Sequence, residues 1–143
     1  MKFEPLRFDH LEQMAAIERE AFDLPWTVNM FIPELSAENA TYLVGTRGGE
    51  VVCYGGFHTV LDEAHITNIA VKSTERGRGI GKMLMSALLE KAREKGVRTV
   101  TLEVKSGNFP AINLYGAFGF QVQGIRRKYY NNRFDALIMT LEM

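Results

Sequence analysis

The run Arg76-Gly77-Arg78-Gly79-Ile80-Gly81-Lys82 constrains this chain more than any other segment, because its three glycines separate a β-patterned stretch ending at Val71 from a strongly amphipathic helical one. Ile80, Met83, Leu84, Ala87 and Leu88 recur at i, i+3, i+4, i+7 and i+8. That is the apolar stripe of a helix packed on one side, and Gly96 supplies its C-terminal stop. Glycines at a strand-to-helix junction leave backbone N–H groups bare at the helix N-terminus, where unpaired donors and the helix dipole both favour an anion. Lys72, Arg76, Arg78 and Lys82 add positive charge to the same place. Glycine is also the default residue for awkward backbone, so the run alone reads equally well as a plain connection.

Spacing narrows the ligand. A Walker loop needs Gly where Arg76 stands and Ser or Thr where Met83 stands, and without that hydroxyl its magnesium site is incomplete. A Rossmann fingerprint needs Gly where Lys82 stands, in the first βα unit of a parallel sheet. The pattern that does fit is Arg-x-x-Gly-x-Gly, carried by Arg76, Gly79 and Gly81, directly after a strand and opening a helix.

The rest of the chain alternates in type. Asp9 with Glu12 forms a candidate capping box ahead of Leu11, Met14, Ala15, Ile17 and Phe22 at helical spacing. Pro25-Trp26-Thr27 breaks that helix, Thr27 is a candidate N-cap for a short second one, and Pro33 limits its extent. Segments 41–47 and 51–60 read as strands joined by the Gly48-Gly49 turn, and 65–71 as a third strand. Within 97–104, Val100, Leu102 and Val104 alternate with Thr99, Thr101 and Glu103, the period of a strand. Asn108, followed by Pro110, opens a short helix that Gly119 closes. Segments 120–130 and 134–142, separated by Asn131-Asn132, read as a closing hairpin. The sum is an α/β (α+β) domain spanning residues 1–143, a mixed, mostly antiparallel twisted sheet flanked by helices.

Charge excludes some partners. The 17 Lys and Arg cancel the 17 Asp and Glu, so the chain lacks the global positive field of a non-specific nucleic-acid binder. The balance is uneven along the chain: residues 1–71 carry 4 basic and 11 acidic side chains, and residues 72–143 carry 13 and 6. An anion is therefore expected on the second half, and acidic side chains of the first half are expected to line the side that receives a cation. Cys53 is the only cysteine, and His10, His58 and His65 are scattered, so neither a disulfide nor a metal site is expected. With neither a signal core nor an apolar stretch near the roughly 20 residues of a bilayer span, the sequence predicts no membrane association and a cytoplasmic location.

The loop of Arg76, Gly79 and Gly81 resembles that of the Gcn5-related N-acetyltransferases (GNAT), whose loop of this form holds the pyrophosphate of coenzyme A. The resemblance extends from about Thr41 to the C-terminus and includes Asn108-Phe109-Pro110-Ala111, Leu114-Tyr115 and Gly119-Phe120. Leu61-Asp62-Glu63-Ala64, Asn68-Ile69-Ala70-Val71, Leu102-Glu103-Val104 and Ile125-Arg126-Arg127-Lys128-Tyr129-Tyr130 look like the RimI type within it, and Pro25-Trp26-Thr27 suits the same type. Enzymes of that type acetylate the N-terminal alanine of a small-subunit ribosomal protein. The resemblance thus implies acetyl-CoA as cosubstrate, no metal, and a protein N-terminus as acceptor.

Acetyl transfer from a thioester to an amine needs a neutral amine, a stabilised oxyanion and a proton for the departing thiolate. By the resemblance, Glu103 is the general base, acting through water, and Tyr115 is the general acid for the sulfur. From the residues alone, Glu103 is a solvated strand carboxylate and Tyr115 a packed aromatic. The resemblance further implies that the backbone of Ile69, Ala70 and Val71 pairs with the pantetheine arm and offers a donor to the thioester oxygen. It also implies that Arg76, Gly77, Arg78, Gly79, Ile80, Gly81 and Lys82 cradle the pyrophosphate, that Asn108 contacts the cofactor, and that Tyr129 and Tyr130 grip the acceptor. Asn108 also reads as a plain N-cap, and Arg126, Arg127 and Lys128 as a solvated strand edge. An α-amine titrates near 7.7 to 8.0 and a lysine near 10.4, so an N-terminal acceptor costs roughly 3.5 kcal/mol less to deprotonate. Two further readings keep the loop: transfer to a lysine or small-molecule amine, and a non-catalytic acyl-CoA-binding protein.

Overall fold

The computed structural model describes residues 1–130 and 134–143; the Asn131-Asn132 turn and the side chains of Tyr129, Tyr130 and Phe134 lie outside the described set. The chain runs β1 (Lys2–Pro5), a 3-10 turn (Phe8–His10), α1 (Leu11–Ala21), α2 (Val28–Phe31), which continues as a 3-10 turn (Ile32–Leu35), then β2 (Ala40–Arg47), β3 (Glu50–Val60) and β4 (Glu63–Val71). After a 3-10 turn at Ser73–Glu75 come α3 (Ile80–Glu94), β5 (Thr99–Lys105), α4 (Phe109–Ala117), β6 (Gln121–Tyr130) and β7 (Phe134–Glu142).

The strands form one sheet in the order β1-β2-β3-β4-β5-β7-β6. Every pair is antiparallel except β4–β5, which α3 connects as the crossover that a parallel pair requires. That parallel pair is short: Glu63, Ala64 and His65 oppose Thr99, Val100 and Thr101, and no register partners follow. Past His65 the two strands part and share no further ladder.

Alternation along the strands sends side chains to two cores. Tyr42 and Val44 of β2 join Leu11, Met14, Ile17, Phe31, Tyr54 and Ala70 beneath α1 and α2. Leu43, on the opposite face, joins the cluster of Leu84, Met85, Leu88, Leu102 and Tyr115 beneath α3 and α4. A bulge in β4 switches faces: Phe57 opposes Ile66 but Gly56 opposes Asn68, so Thr67 is an extra residue. Hence Ile66 packs under α3 while Ala70 packs under α1.

The structure corrects several local expectations. β1 is an additional edge strand, only four residues long and ending in proline, too short to carry a periodic signal. The Asp9–Glu12 capping box does not form. Asp9 instead accepts from Arg7 Nε at 3.1 Å, and the turn is closed by the Arg7 backbone N–H donating to His10 Nδ1 at 3.0 Å. Thr27 occupies the N-cap position of α2 without a side-chain cap. β4 starts two residues before the expected His65, and β5 begins at Thr99 rather than Val97 because the N–H groups of Arg98 and Thr99 turn back to the Asp62 carbonyl.

Candidate active site

The anion loop is built by its own side chains as well as its glycines. Gly77 and Gly79 both take φ of +78°, a region that L side chains rarely adopt. A Cβ at either would meet nothing within 4 Å, so backbone conformation rather than packing demands glycine, and the loop surface stays open. Gly81 differs: a Cβ there would lie 3.2 Å from Leu114 Cδ2, so it permits the approach of α3 to α4. Gly79 offers no side-chain cap, leaving the first N–H groups of α3 directed outward. Arg76 donates from Nε to the Val71 carbonyl at 3.2 Å and thereby ties the loop to the end of β4. Glu75 is hydrogen-bonded by Arg47 and lies 3.8 Å from Arg78. That Arg47 hydrogen bond, with the charges of Arg47, Arg78 and Lys72, holds the Glu75 carboxyl below its ordinary range.

The backbone of Ile69, Ala70 and Val71 pairs with Gly55, Tyr54 and Cys53 of β3 on one edge. Its other edge faces the opening left where β5 departs. Such an edge is a template for an extended molecule that can hydrogen-bond like a strand. The loop of residues 76–82 lies at the end of this edge, so a thin polar chain carrying a diphosphate has both its contacts in line. The open glycine cradle, outward helix N–H groups and unpaired strand edge fit coenzyme A.

Glu103 stands on β5 two residues beyond its last pairing with β4, on the face opposite Leu102 and Val104. Its side chain is 15% exposed and accepts an ion pair from Arg126 Nη2 of β6 at 3.0 Å. Arg126 is thus engaged across the sheet rather than merely lying along a solvated edge. Lys105, on the same face of β5, reaches Asp23 in the α1–α2 connection at 3.1 Å. Tyr115, on α4, is buried in the α3-side cluster with its ring centroid 6.0 Å from that of Phe120. Glu103 and Tyr115 therefore approach β5 from opposite faces. Asn108 caps α4, its Oδ1 accepting the Ala111 N–H at 3.3 Å. Tyr129 and Tyr130 occupy the end of β6.

The α1 face of the sheet holds a polar network that periodicity did not single out as functional. Glu18 is almost wholly buried in α1, its Oε1 accepting the Trp26 backbone N–H at 2.9 Å and its Oε2 the Tyr54 hydroxyl. Burial pushes its carboxyl upward, opposed by hydrogen bonds from Tyr54, Trp26 and Asn68. The Tyr42 hydroxyl lies 3.0 Å from both Glu34 Oε1 and Asn68 Oδ1 and 3.1 Å from Thr67 Oγ1, gathering both residues of the β4 bulge. Burial also pushes the Tyr42 and Tyr54 hydroxyls upward. Glu34 in turn meets His58 Nε2 at 2.8 Å. The sequence signal for Glu18 was its place on the buried stripe, four residues after Met14 and seven after Leu11. Glu18, Glu20, Asp23 and Glu34, all from the acidic half, each have a partner within the chain: Trp26, Ser73, Lys105 and Tyr42 respectively.

Residues 11–120 match the model of the Acetyltransferase (GNAT) family. The chain belongs to this family. Among curated proteins, this GNAT chain is 42% identical over 137 residues to a Bacillus subtilis (strain 168) protein provisionally named a [ribosomal protein bS18]-alanine N-acetyltransferase, covering 94% of this chain and 90% of that one. It is 35% identical over 128 residues to the Escherichia coli (strain K12) [ribosomal protein bS18]-alanine N-acetyltransferase, covering 87% and 86%. The crystal structure of the ribosomal-protein-S18-alanine N-acetyltransferase from Escherichia coli superposes with a TM-score of 0.91 at 33% identity, covering 99% of this chain and 92% of that chain. The mixed, mostly antiparallel GNAT sheet expected from the sequence is thus the observed fold. No helix among the described residues is long and apolar enough to cross a membrane.

Proposed function

We propose that this GNAT enzyme transfers the acetyl group of acetyl-CoA to the N-terminal α-amine of a protein, the N-terminal alanine of ribosomal protein bS18. The observation that carries the reading is the unpaired edge of β4, which runs from the glycine loop to the place where β4 and β5 part beside Glu103. The substrate named for the relatives of high coverage supports the acceptor. When bound, the cosubstrate supplies an acetyl group activated as a thioester.

The backbone of Ile69, Ala70 and Val71 holds the pantetheine arm, and the N–H groups of residues 77–82 hold the diphosphate. Arg78 and Lys82 offset its charge, Arg76 braces the loop, and Asn108 contacts the cofactor while capping α4. Glu103 accepts a proton from the acceptor's ammonium group through water, the amine forms the new C–N bond, and Tyr115 donates a proton to the sulfur as the C–S bond breaks. Tyr129 and Tyr130 of β6 are assigned to the acceptor peptide.

Incubation with acetyl-CoA and peptides beginning with alanine, peptides offering only lysine, and polyamines tests the reading. Acetylation of the alanine α-amine is expected. Transfer only to lysine or polyamines would replace the acceptor, and tight coenzyme A binding without transfer to any amine would replace the enzyme.

A further inference from the structure

A bare carboxylate at position 103 would create a difficulty for the reaction assigned to it. The incoming amine arrives mostly as an ammonium, and a lone anion beside it favours the charged form. The pair would then sit as a stable salt bridge, raising the cost of the neutral amine on which transfer depends. Arg126 bears on this difficulty, since its Nη2 lies 3.0 Å from Glu103 Oε1.

We infer that Arg126 is a positioning and charge-balancing residue of the acceptor site, which occupies one oxygen of Glu103 and keeps the acceptor's ammonium from being trapped by it. The inference rests on the assignment of Glu103 as the base. Arg126 reaches Glu103 from β6, which lies on the far side of β7. Ile138 of β7 opposes Glu103 on one side and Gly124 of β6 on the other, and Ala136 opposes Arg126. Small or apolar residues therefore separate the two charged side chains along the sheet. Among the described residues, the other charged or titratable groups on this face of β5 and its neighbours include Lys105, two residues along β5, Asp23, which pairs with it, the exposed His65 of β4, which opposes Thr101, and, further along, Glu63 of β4 and Glu142 of β7 opposite Thr99. Lys105 is paired with Asp23, whereas Arg126 brings its positive charge into direct contact with the base. With Arg126 on Oε1, Oε2 remains available to water and the acceptor proton.

The pH dependence of kcat separates this role from simple support of the fold, because its acidic limb follows loss of the acceptor's proton within the bound complex. With acetyl-CoA and an alanine-starting peptide, Arg126→Gln is expected to move that limb upward by about 1 pH unit or more. Near neutral pH kcat falls roughly tenfold, following that shift on the limb, and at high pH the variant approaches the native rate. Arg126→Lys keeps the limb near its native position, and in a Glu103→Gln background Arg126→Gln moves it less, since only the direct repulsion between Arg126 and the ammonium is then lost. A loss of kcat by one factor at every pH, a limb that does not move, or a Lys variant shifted as far as the Gln variant overturns the inference. A Glu103→Gln variant with native kcat overturns instead the assignment of the base, on which the inference rests. Thermal unfolding of each variant checks that the fold is intact.

Discussion

Glu18 Oε1 accepts the backbone N–H of Trp26 at 2.9 Å, so a buried side chain of α1 fixes the segment that leads into α2. Its other oxygen takes the Tyr54 hydroxyl from β3. One carboxylate thus locks the α1–α2 connection onto the sheet. Replacing it with alanine strands a buried N–H and a buried hydroxyl as well as opening a cavity. Glu18→Ala should cost about 3 kcal/mol, roughly 10 °C in Tm, measured by thermal unfolding. Loss under 1 kcal/mol would mean that water or repacking satisfies both donors.

The same residue sets a pH dependence of stability. Burial raises the Glu18 carboxyl above its ordinary value of 4.5, so the folded chain holds this proton more tightly than the unfolded chain. Its contribution to stability is full below 4.5 and declines as pH rises through the raised value. Glu18→Gln removes that slope while keeping an acceptor for Trp26. The stability of the Gln variant relative to the native chain should therefore improve between acid and neutral pH, and a constant gap across that interval would exclude the linkage.

Gly56 meets the ring of Tyr42 face to face: a Cβ at position 56 would lie 2.4 Å from two ring carbons. The ring is buried and its hydroxyl is tied to Glu34, Thr67 and Asn68, so it cannot move without breaking those bonds. Gly56→Ala is expected to destabilise by about 2 to 3 kcal/mol. Because Thr67 and Asn68 form the β4 bulge next to Ile69, it should also lower turnover in the surviving folded fraction. Native Tm and kcat in this variant would show that Tyr42 has another place to go.

What could be read in advance was whatever a local pattern encodes. The stripe of Ile80, Leu84 and Leu88, the alternation of Val100, Leu102 and Val104, and the cap at Asn108 all carry short-range signals, and the structure has each where it was expected, although Met83, read on the same stripe, is exposed and Met85 is buried instead. The extra residue Thr67 depends on its pairing with Gly56 and Phe57, eleven and ten positions earlier, and no pattern within β4 marks it. The ion pair of Arg126 with Glu103 spans two strand boundaries, and a basic strand edge looks the same whether or not such a partner waits across the sheet. The Asp9–Glu12 box failed because Arg7, His10 and Glu4 make a competing set of bonds around the same turn.

Tyr115 allows packing and chemistry to be separated. Its ring lies in the α3-side cluster against Phe120, and phenylalanine preserves that ring. Tyr115→Phe should therefore change stability by about 1 kcal/mol or less, while kcat falls by about 10²-fold if the hydroxyl donates the proton to the leaving sulfur. Steady-state rates at saturating acetyl-CoA, set beside the melting curve, distinguish the two. Equal losses in both measurements would assign the hydroxyl to the fold.

Gly79 and Gly81 belong to the same motif but serve different ends, and alanine at each should separate them. At Gly79 the obstacle is φ of +78°, since open space surrounds the absent Cβ. Alanine there costs roughly 1 to 2 kcal/mol if the loop holds its shape, and relief of that strain turns the first N–H groups of α3 away from their common target. Gly79→Ala is accordingly expected to weaken coenzyme A binding at least tenfold by calorimetry. At Gly81 the contact is Leu114 Cδ2 at 3.2 Å, a flexible side-chain end that can retreat by a few tenths of an ångström. Alanine is also the better helix former, which offsets part of that crowding. Gly81→Ala should then leave coenzyme A affinity within about threefold and shift stability by less than about 1 kcal/mol. The reverse ranking of the two variants in binding would place the anion contacts on the helix turn rather than on the left-handed residue before it.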